Sequence, residues 1–179
     1  MKDRLGRYLG TWRTRVVLPH VRGRLLDLGC GANHLVRQYG NGLGVDVCQW
    51  GDVDVVVEDA GKLPFKDASF DSATIVAALN HIPNRQQALR ELHRVLRPGG
   101  LAITTMIPPR LSRVWHALRK PWDADQSERG MKEGEVYGLT ASQVRQLLTS
   151  AGFRVQRQKR FMLGLNMLTL AQKPGCPSD

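Results

Sequence analysis

The sequence is poor in cysteine, in aromatic side chains and in acid, and it has no long apolar run. Three cysteines in 179 residues, an odd number spread along the chain, exclude a disulfide scaffold and suit a reducing compartment. No stretch reaches the roughly 18 apolar residues that would cross a bilayer, and charges interrupt every candidate. The opening MKDRLGRYLG lacks an apolar core of the signal-peptide kind, so the expected compartment is the cytoplasm. Histidines and cysteines have no metal-ligand spacing, and no metal is expected. A phosphate-binding GxxxxGK[ST] loop is also missing. The remaining composition is that of a globular protein: 42% hydrophobic residues, in a length suited to one domain.

Charge is what the chain has in excess. Lys and Arg number 26 against 16 Asp and Glu, a formal net charge of +10. Taken whole, that points to an anionic partner such as nucleic acid, a membrane surface or an acidic substrate. The distribution is uneven, however. Residues 1–40 hold eight basic and two acidic side chains, and residues 41–80 hold two basic and seven acidic ones. An acidic middle between basic flanks is not the pattern of a nucleic-acid coat protein.

Periodicity predicts alternating strands and helices. A basic amphipathic helix is expected over 2–15, ended by Pro19, within an N-terminal segment 1–20. Strands are expected at 24–28, 42–47, 53–57, 72–79, 101–107, 153–158 and 165–171. Helices are expected at 34–39 with Asn33 as N-cap, at 85–97 with Asn84 as N-cap, and after Thr140 with Gly152 at its C-terminal turn. This order predicts a single α/β domain, a doubly wound and mostly parallel sheet. Ligands of such sheets bind at the carboxyl ends of the strands, near the topological switch point.

Residues of the right kind follow the strands. Asp27-Leu28-Gly29-Cys30-Gly31 ends the first, and its two glycines let a ligand approach the backbone. The third glycine of a dinucleotide fingerprint is replaced by His34, which argues against a pyrophosphate cofactor. Asp27, inside a strand, needs a partner such as a ligand ammonium. Asp46 lies 19 residues further on, where a carboxylate accepts from ribose hydroxyls. Asp59 follows the third strand, where it would accept from an exocyclic amine. Together they form an adenosine-binding set, although each glycine and carboxylate taken alone also fits an ordinary turn or loop.

With these segments in order, the chain resembles the class I S-adenosylmethionine-dependent methyltransferases, in the branch acting on small molecules and quinones. The likeness runs from about Arg24 to Lys173. It rests on LLDLGCG at 25–31, Gly44-Val45-Asp46, Glu58-Asp59-Ala60 with Leu63-Pro64-Phe65, Phe70-Asp71, and Leu96-Arg97-Pro98-Gly99-Gly100. The resemblance implies a Rossmann-like seven-stranded sheet with an antiparallel last strand, and S-adenosyl-L-methionine as cofactor. Gly29, Cys30 and Gly31 would pass its methionine part, and Asp27 would meet the amino group with carbonyls near Ala77 and Ala78. Asp46 would hold the ribose, Val47 would pack on adenine, and Asp59 with Ala60 would meet the adenine amine. One departure is Asn33, where the family usually has glycine; asparagine tolerates the left-handed region better than most residues.

Methyl transfer from an activated sulfonium relies mainly on positioning, and a base is needed only where the acceptor must lose a proton. His81, Asn80 and Tyr137 are the candidates for that work, with His81 also readable as a structural histidine. The long connection 106–139 is expected to cover the acceptor site. Its stretch 110–120 and the N-terminal helix both read as basic amphipathic helices carrying Trp. They point to an apolar or lipid-like acceptor and peripheral contact with an anionic membrane, or simply to packing on the domain. Two alternatives stay open: a nucleic-acid methyltransferase, and a non-catalytic S-adenosylmethionine-binding protein. The former is disfavoured because Asn80-His81-Ile82-Pro83 lacks the base-amine signature expected after the fourth strand. The chain is expected to act as a monomer or a homodimer.

Overall fold

The computed structural model describes residues 4–109 and 133–175. Helix α1 (Arg4–Val17) continues into a 3₁₀ turn, Leu18–His20, and ends two residues before Pro19, whose ring disfavours helix in the residue preceding it. Strand β1 (Leu25–Leu28) is followed by α2 (His34–Tyr39), β2 (Gly42–Asp46) and β3 (Val55–Val56). Then come β4 (Phe70–Val76), a 3₁₀ turn at Leu79–His81, α3 (Arg85–Val95) and β5 (Leu96–Met106). Helix α4 (Ala141–Ser150), β6 (Arg154–Phe161) and β7 (Asn166–Gln172) complete the described chain.

The seven strands form one sheet in the order β3-β2-β1-β4-β5-β7-β6. Strands β1 to β5 run parallel, and β7 lies antiparallel to both β5 and β6. Beginning at the centre, β1 pairs on one side with β2 and on the other with β4, so the order reverses at β1. Alternate side chains feed two cores. Leu26, Leu28, Ala73 and Ala102 pack with Leu89 and Leu92 of α3 and Leu148 of α4. On the opposite face Leu25, Ile103 and Leu168 pack with Val17 of α1 and with Leu35 and Val36 of α2. Helix α4 has the expected cap: Thr140 Oγ1 accepts from the Gln143 N–H and Gln143 Oε1 accepts from the Thr140 N–H.

Several expectations are corrected. Asn33 stands at the N-cap position of α2 but its side chain makes no cap: it sits in the left-handed region (φ 58°), and its Nδ2 donates to Asp52 O at 2.7 Å and Asp54 Oδ2 at 2.9 Å. Asn84 makes no side-chain cap either; its Nδ2 donates to Asp59 Oδ1 at 2.7 Å. The fourth strand ends at Val76, because Leu79–His81 coil into a 3₁₀ turn. Helix α3 stops at Val95, and β5 begins at Leu96, which pairs with Phe70 ahead of an irregularity in the ladder. Only Val55 and Val56 of the third run are paired. The expected helix at 110–120, with Trp115, Trp122 and the cluster at 128–132, lies outside the described residues.

At the amino-terminal end of the sheet, Asp71 ties three segments together. Its Oδ2 accepts from the Arg24 N–H at 2.7 Å and its Oδ1 from Arg97 Nη1 at 2.5 Å. The Arg24 N–H, helped by the Arg97 guanidinium, holds this carboxyl below the usual carboxylate range. Among the described residues, no helix is long and apolar enough to cross a membrane.

Candidate functional site

The carboxyl ends of β1, β2 and β4 enclose a cavity of about 480 Å³, within the ordinary size for a small-molecule site. The turn after β1 forms one wall. Gly29 (φ 74°) and Gly31 (φ 53°) both occupy the left-handed region, and a Cβ on Gly29 would lie 2.5 Å from Cβ of Ala78. Glycine is therefore required where this turn meets the loop after β4. That loop is itself bent: Ala77 has φ 53°, a conformation costly for alanine. Its N–H is held by Thr105, through O at 3.1 Å and Oγ1 at 3.0 Å.

Asp46 closes the turn. Its Oδ2 accepts from the Gly31 N–H at 2.9 Å, and its Oδ1 from the N–H groups of Val47 at 2.8 Å and Cys48 at 3.3 Å. The carboxylate is nearly buried yet lines the cavity. Two carboxylate oxygens offer about four acceptor sites, so one remains for a ligand hydroxyl. Val47 and Trp50 supply apolar surface beside it, and Ala60 faces them from the loop after β3.

Asp27 belongs to a second cavity, of about 910 Å³, between α1 and the glycine turn. Its Oδ1 accepts from Thr74 Oγ1 at 2.6 Å. Burial is the main influence on it; the charge of Asp46 adds and the Thr74 hydroxyl opposes, and the carboxyl is pushed up to about 7. Cys30 lines the same cavity, and burial, with Asp27, Asp46 and Asp54 nearby, pushes its thiol up to about 12. A thiol so protonated is no nucleophile.

His81 stands at the mouth of the first cavity with Ile82. Its Nδ1 is 3.4 Å from Oε2 of Glu135, a carboxylate with only 1% of its side chain exposed. Residues 133–139 hold this arrangement by pairing with the 3₁₀ turn: the Val136 N–H donates to Asn80 O at 3.0 Å and Asn80 Nδ2 donates to Val136 O at 3.3 Å. Gly138 lies close against Ile107 and Pro109, so both ends of the 106–139 connection meet beside the site.

The candidates named from sequence therefore divide. Gly29, Gly31, Asp46, Val47, Ala60, Ala77, Ala78 and His81 line the first cavity; Asp27, Cys30 and again Gly29 line the second. Asp59 does not line either: its Oδ1 accepts from the Gly61 N–H and Asn84 Nδ2, both at 2.7 Å, and fixes a turn that carries Ala60. The Asn80 amide is directed to Val136, and Tyr137 is part-exposed outside both linings. Trp50, Thr74 and Glu135 were not singled out from sequence. Trp50 carries no periodic signal, and Glu135 meets His81 across 54 positions of chain. Among the described residues, no group of three or more His, Cys, Asp or Glu could hold a metal ion.

Residues 26–104 match the methyltransferase domain family. The ubiquinone/menaquinone biosynthesis C-methyltransferase UbiE of Enterobacter sp. (strain 638) is 31% identical over 139 positions, covering 73% of this chain and 49% of that protein. The O-methyltransferase resE of Aspergillus sclerotiorum is 31% identical over 159 positions, covering 73% of this chain and 54% of that one. The chain spans about half the length of the curated relatives it matches. Among solved structures, the complex between the Haloferax volcanii Trm112 methyltransferase activator and the putative methyltransferase contains a chain similar to this one. Its TM-score is 0.73 at 18% identity, with 97% of this chain and 94% of that chain covered. An S-adenosylmethionine-dependent methyltransferase from Methanosarcina mazei gives a TM-score of 0.63 at 21% identity, covering 89% and 97%. By its 31% identity to these methyltransferases over nearly three quarters of its length, with the domain match over residues 26–104, the chain belongs to the class I S-adenosylmethionine-dependent methyltransferases.

Proposed function

We propose that the protein binds S-adenosyl-L-methionine and transfers its methyl group to a small apolar or lipid-like acceptor. The observation that carries this reading is the pair of cavities meeting at Gly29, one with Asp46 and an apolar wall, the other with the buried Asp27. Such a pair suits an elongated ligand with a nucleoside at one end and an amino acid at the other. The residues present fit it: Asp46 keeps acceptor capacity toward ribose hydroxyls, and Val47 and Trp50 offer faces for a purine. When bound, this cofactor supplies a methyl group already activated on a sulfonium. The protein's part is to hold the acceptor in line and to exclude water. His81, oriented by the enclosed Glu135, would take a proton from an acceptor hydroxyl or acidic carbon. The names of the two relatives give oxygen in one case and carbon, in quinone biosynthesis, in the other as the methylated atom.

The acceptor's lipid-like character has separate support. Burial lowers the His20 pKa, and Arg157, Arg22 and Lys159 lie near enough to lower it further. Tyr8 and Trp12 are exposed on α1. Cations with exposed aromatics suit an anionic lipid surface.

Calorimetric titration with S-adenosylmethionine tests the first step: micromolar binding that falls at least tenfold in Asp46→Ala is expected, and no binding overturns the reading. With a phenolic or quinol acceptor, His81→Ala is expected to lower kcat about 100-fold. Binding without turnover on any acceptor would favour a non-catalytic role. Turnover on RNA but not on quinols would favour a nucleic-acid methyltransferase.

A further inference from the structure

Charge is divided across the sheet from edge to edge. Residues 41–60, which contain β2 and β3, hold five acidic side chains and no basic one. Residues 136–175, which contain β6 and β7, hold six basic side chains and no acidic one. The strand order places β3 at one edge and β6 at the other. Arg154, Arg157, Lys159 and Arg160 are all exposed on β6, and among the described residues none of them forms an ion pair. Arg22, from the segment before β1, joins Arg157 and Lys159 around His20. Cations on an edge strand also deter pairing with another chain, so charge alone assigns no partner.

The tip of the β6–β7 hairpin adds a second, independent feature. Met162 (φ 51°), Leu163 (φ 55°) and Gly164 (φ 86°) are left-handed in succession. The Gly164 N–H donates to Phe161 O at 3.1 Å and the Leu165 N–H to Met162 O at 3.0 Å. Met162 is turned inward, where its sulfur accepts from Asn166 Nδ2 at 3.4 Å, whereas Leu163 is 98% exposed and Leu165 is exposed beside it. Glycine or asparagine would suit position 163 in both backbone and solvent. Leucine there suits neither, and a residue held against local preference is a common mark of a functional site. Register fixes where the tip lies. Met167 of β7 pairs with Met106 at the carboxyl end of β5, and Phe161 pairs with Asn166. Residues 162–165 therefore lie beyond the end of the sheet that carries the first cavity.

A partner for this tip must take up aliphatic side chains and present negative charge behind them. An anionic bilayer does both. RNA offers phosphates, but its bases are gripped by aromatic stacking, which leucine cannot supply. We propose that the β6–β7 hairpin docks the protein on an anionic bilayer, with Leu163 and Leu165 entering the interface and Arg157, Lys159 and Arg160 meeting lipid phosphates. Contact here sets the cavity end of the sheet toward the lipid and keeps the acidic β2–β3 edge at the far side. The assignment deepens the reading of a lipid-like acceptor and rests on it for its purpose; the contact itself requires no turnover.

Co-sedimentation of the full chain with vesicles tests it. Binding is expected to phosphatidylcholine vesicles that contain phosphatidylglycerol, and is lost when phosphatidylglycerol is omitted. Leu163→Asn, which suits the left-handed backbone, is expected to keep the wild-type Tm and to lower partitioning about 10-fold. Lys159→Gln combined with Arg160→Gln is expected to lower it about 10- to 30-fold. Both variants should bind S-adenosylmethionine as the wild type does. Vesicle binding that survives Leu163→Asn unchanged overturns the assignment and leaves adsorption by charge. Tighter binding to tRNA than to vesicles, insensitive to Leu163, overturns it in favour of a nucleic acid. A protein that methylates a soluble quinol but ignores vesicles overturns the hairpin assignment and leaves the acceptor reading standing. One that binds vesicles through Leu163 yet methylates no quinol does the reverse.

Discussion

The two ends of the sheet treat their carboxylates in opposite ways. At the amino-terminal end Asp71 is surrounded by donors, a backbone N–H from Arg24 and a guanidinium from Arg97, and stays ionised below the usual range. At the carboxyl end Asp27 is buried more deeply, accepts from the neutral hydroxyl of Thr74, and is pushed up to about 7. Asp71 holds strands together, so every donor it needs comes from the chain. Among the described residues Asp27 has no cationic partner, and it lines the cavity proposed to take the ammonium end of the cofactor. Incomplete satisfaction at one end, against completeness at the other, separates binding from scaffolding within a single fold.

The largest effect that would break this contrast is expected from Asp27→Asn. The folded-state pKa of Asp27, about 7, lies above its ordinary value of 3.8. Native protein thus holds this proton more tightly than unfolded chain, and Asp27's contribution to stability falls as pH rises from about 4 to about 7. The full span is on the order of 4 kcal/mol. Urea melts of the cofactor-free protein at pH 4.5 and pH 8 should show that loss in wild type and its absence in Asp27→Asn. The same pH slope in both proteins would remove the distinction. For Asp71 the sign reverses: its folded pKa is depressed, so its contribution is present above the ordinary value and lost as pH falls below it.

A second, smaller effect is expected at the glycine turn. Gly29→Ala adds a left-handed alanine and a clash with Ala78, about 2 to 3 kcal/mol in all. Gly31→Ala meets nothing within 4 Å and should cost only about 1 kcal/mol. Thermal melts of the two variants side by side measure the difference; equal losses would show that the close approach to Ala78 is unimportant. The smallest effect belongs to Asp71→Asn, about 1 kcal/mol, because this site is part-exposed. Its S-adenosylmethionine affinity should be unchanged in titration, and a weakened affinity would blur the division between the two ends.

Much of the contrast was legible in the sequence, and the rest depends on distance along the chain. The strand ending LLDLGCG and the carboxylate 19 residues later stand out locally, because backbone need and side-chain type coincide at neighbouring positions. The alternation of strands and helices predicts a mostly parallel, doubly wound sheet, while the antiparallel last strand is implied only by the family resemblance. Contacts between distant segments left no such trace. Glu135 behind His81, Thr74 on Asp27 and Asn84 on Asp59 each join segments at least 25 positions apart. The two asparagines differ from expectation for the same reason: Asn33 and Asn84 occupy N-cap positions, but partners from distant segments claim their amides.

Asn33 also couples two positions. A Cβ on Gly44 would lie 2.1 Å from Oδ1 of Asn33. Alanine at 44 therefore requires the Asn33 amide to shift or be lost, and with it the bonds that hold the loop at Asp52 and Asp54. A substitution at either position is thus felt at the other.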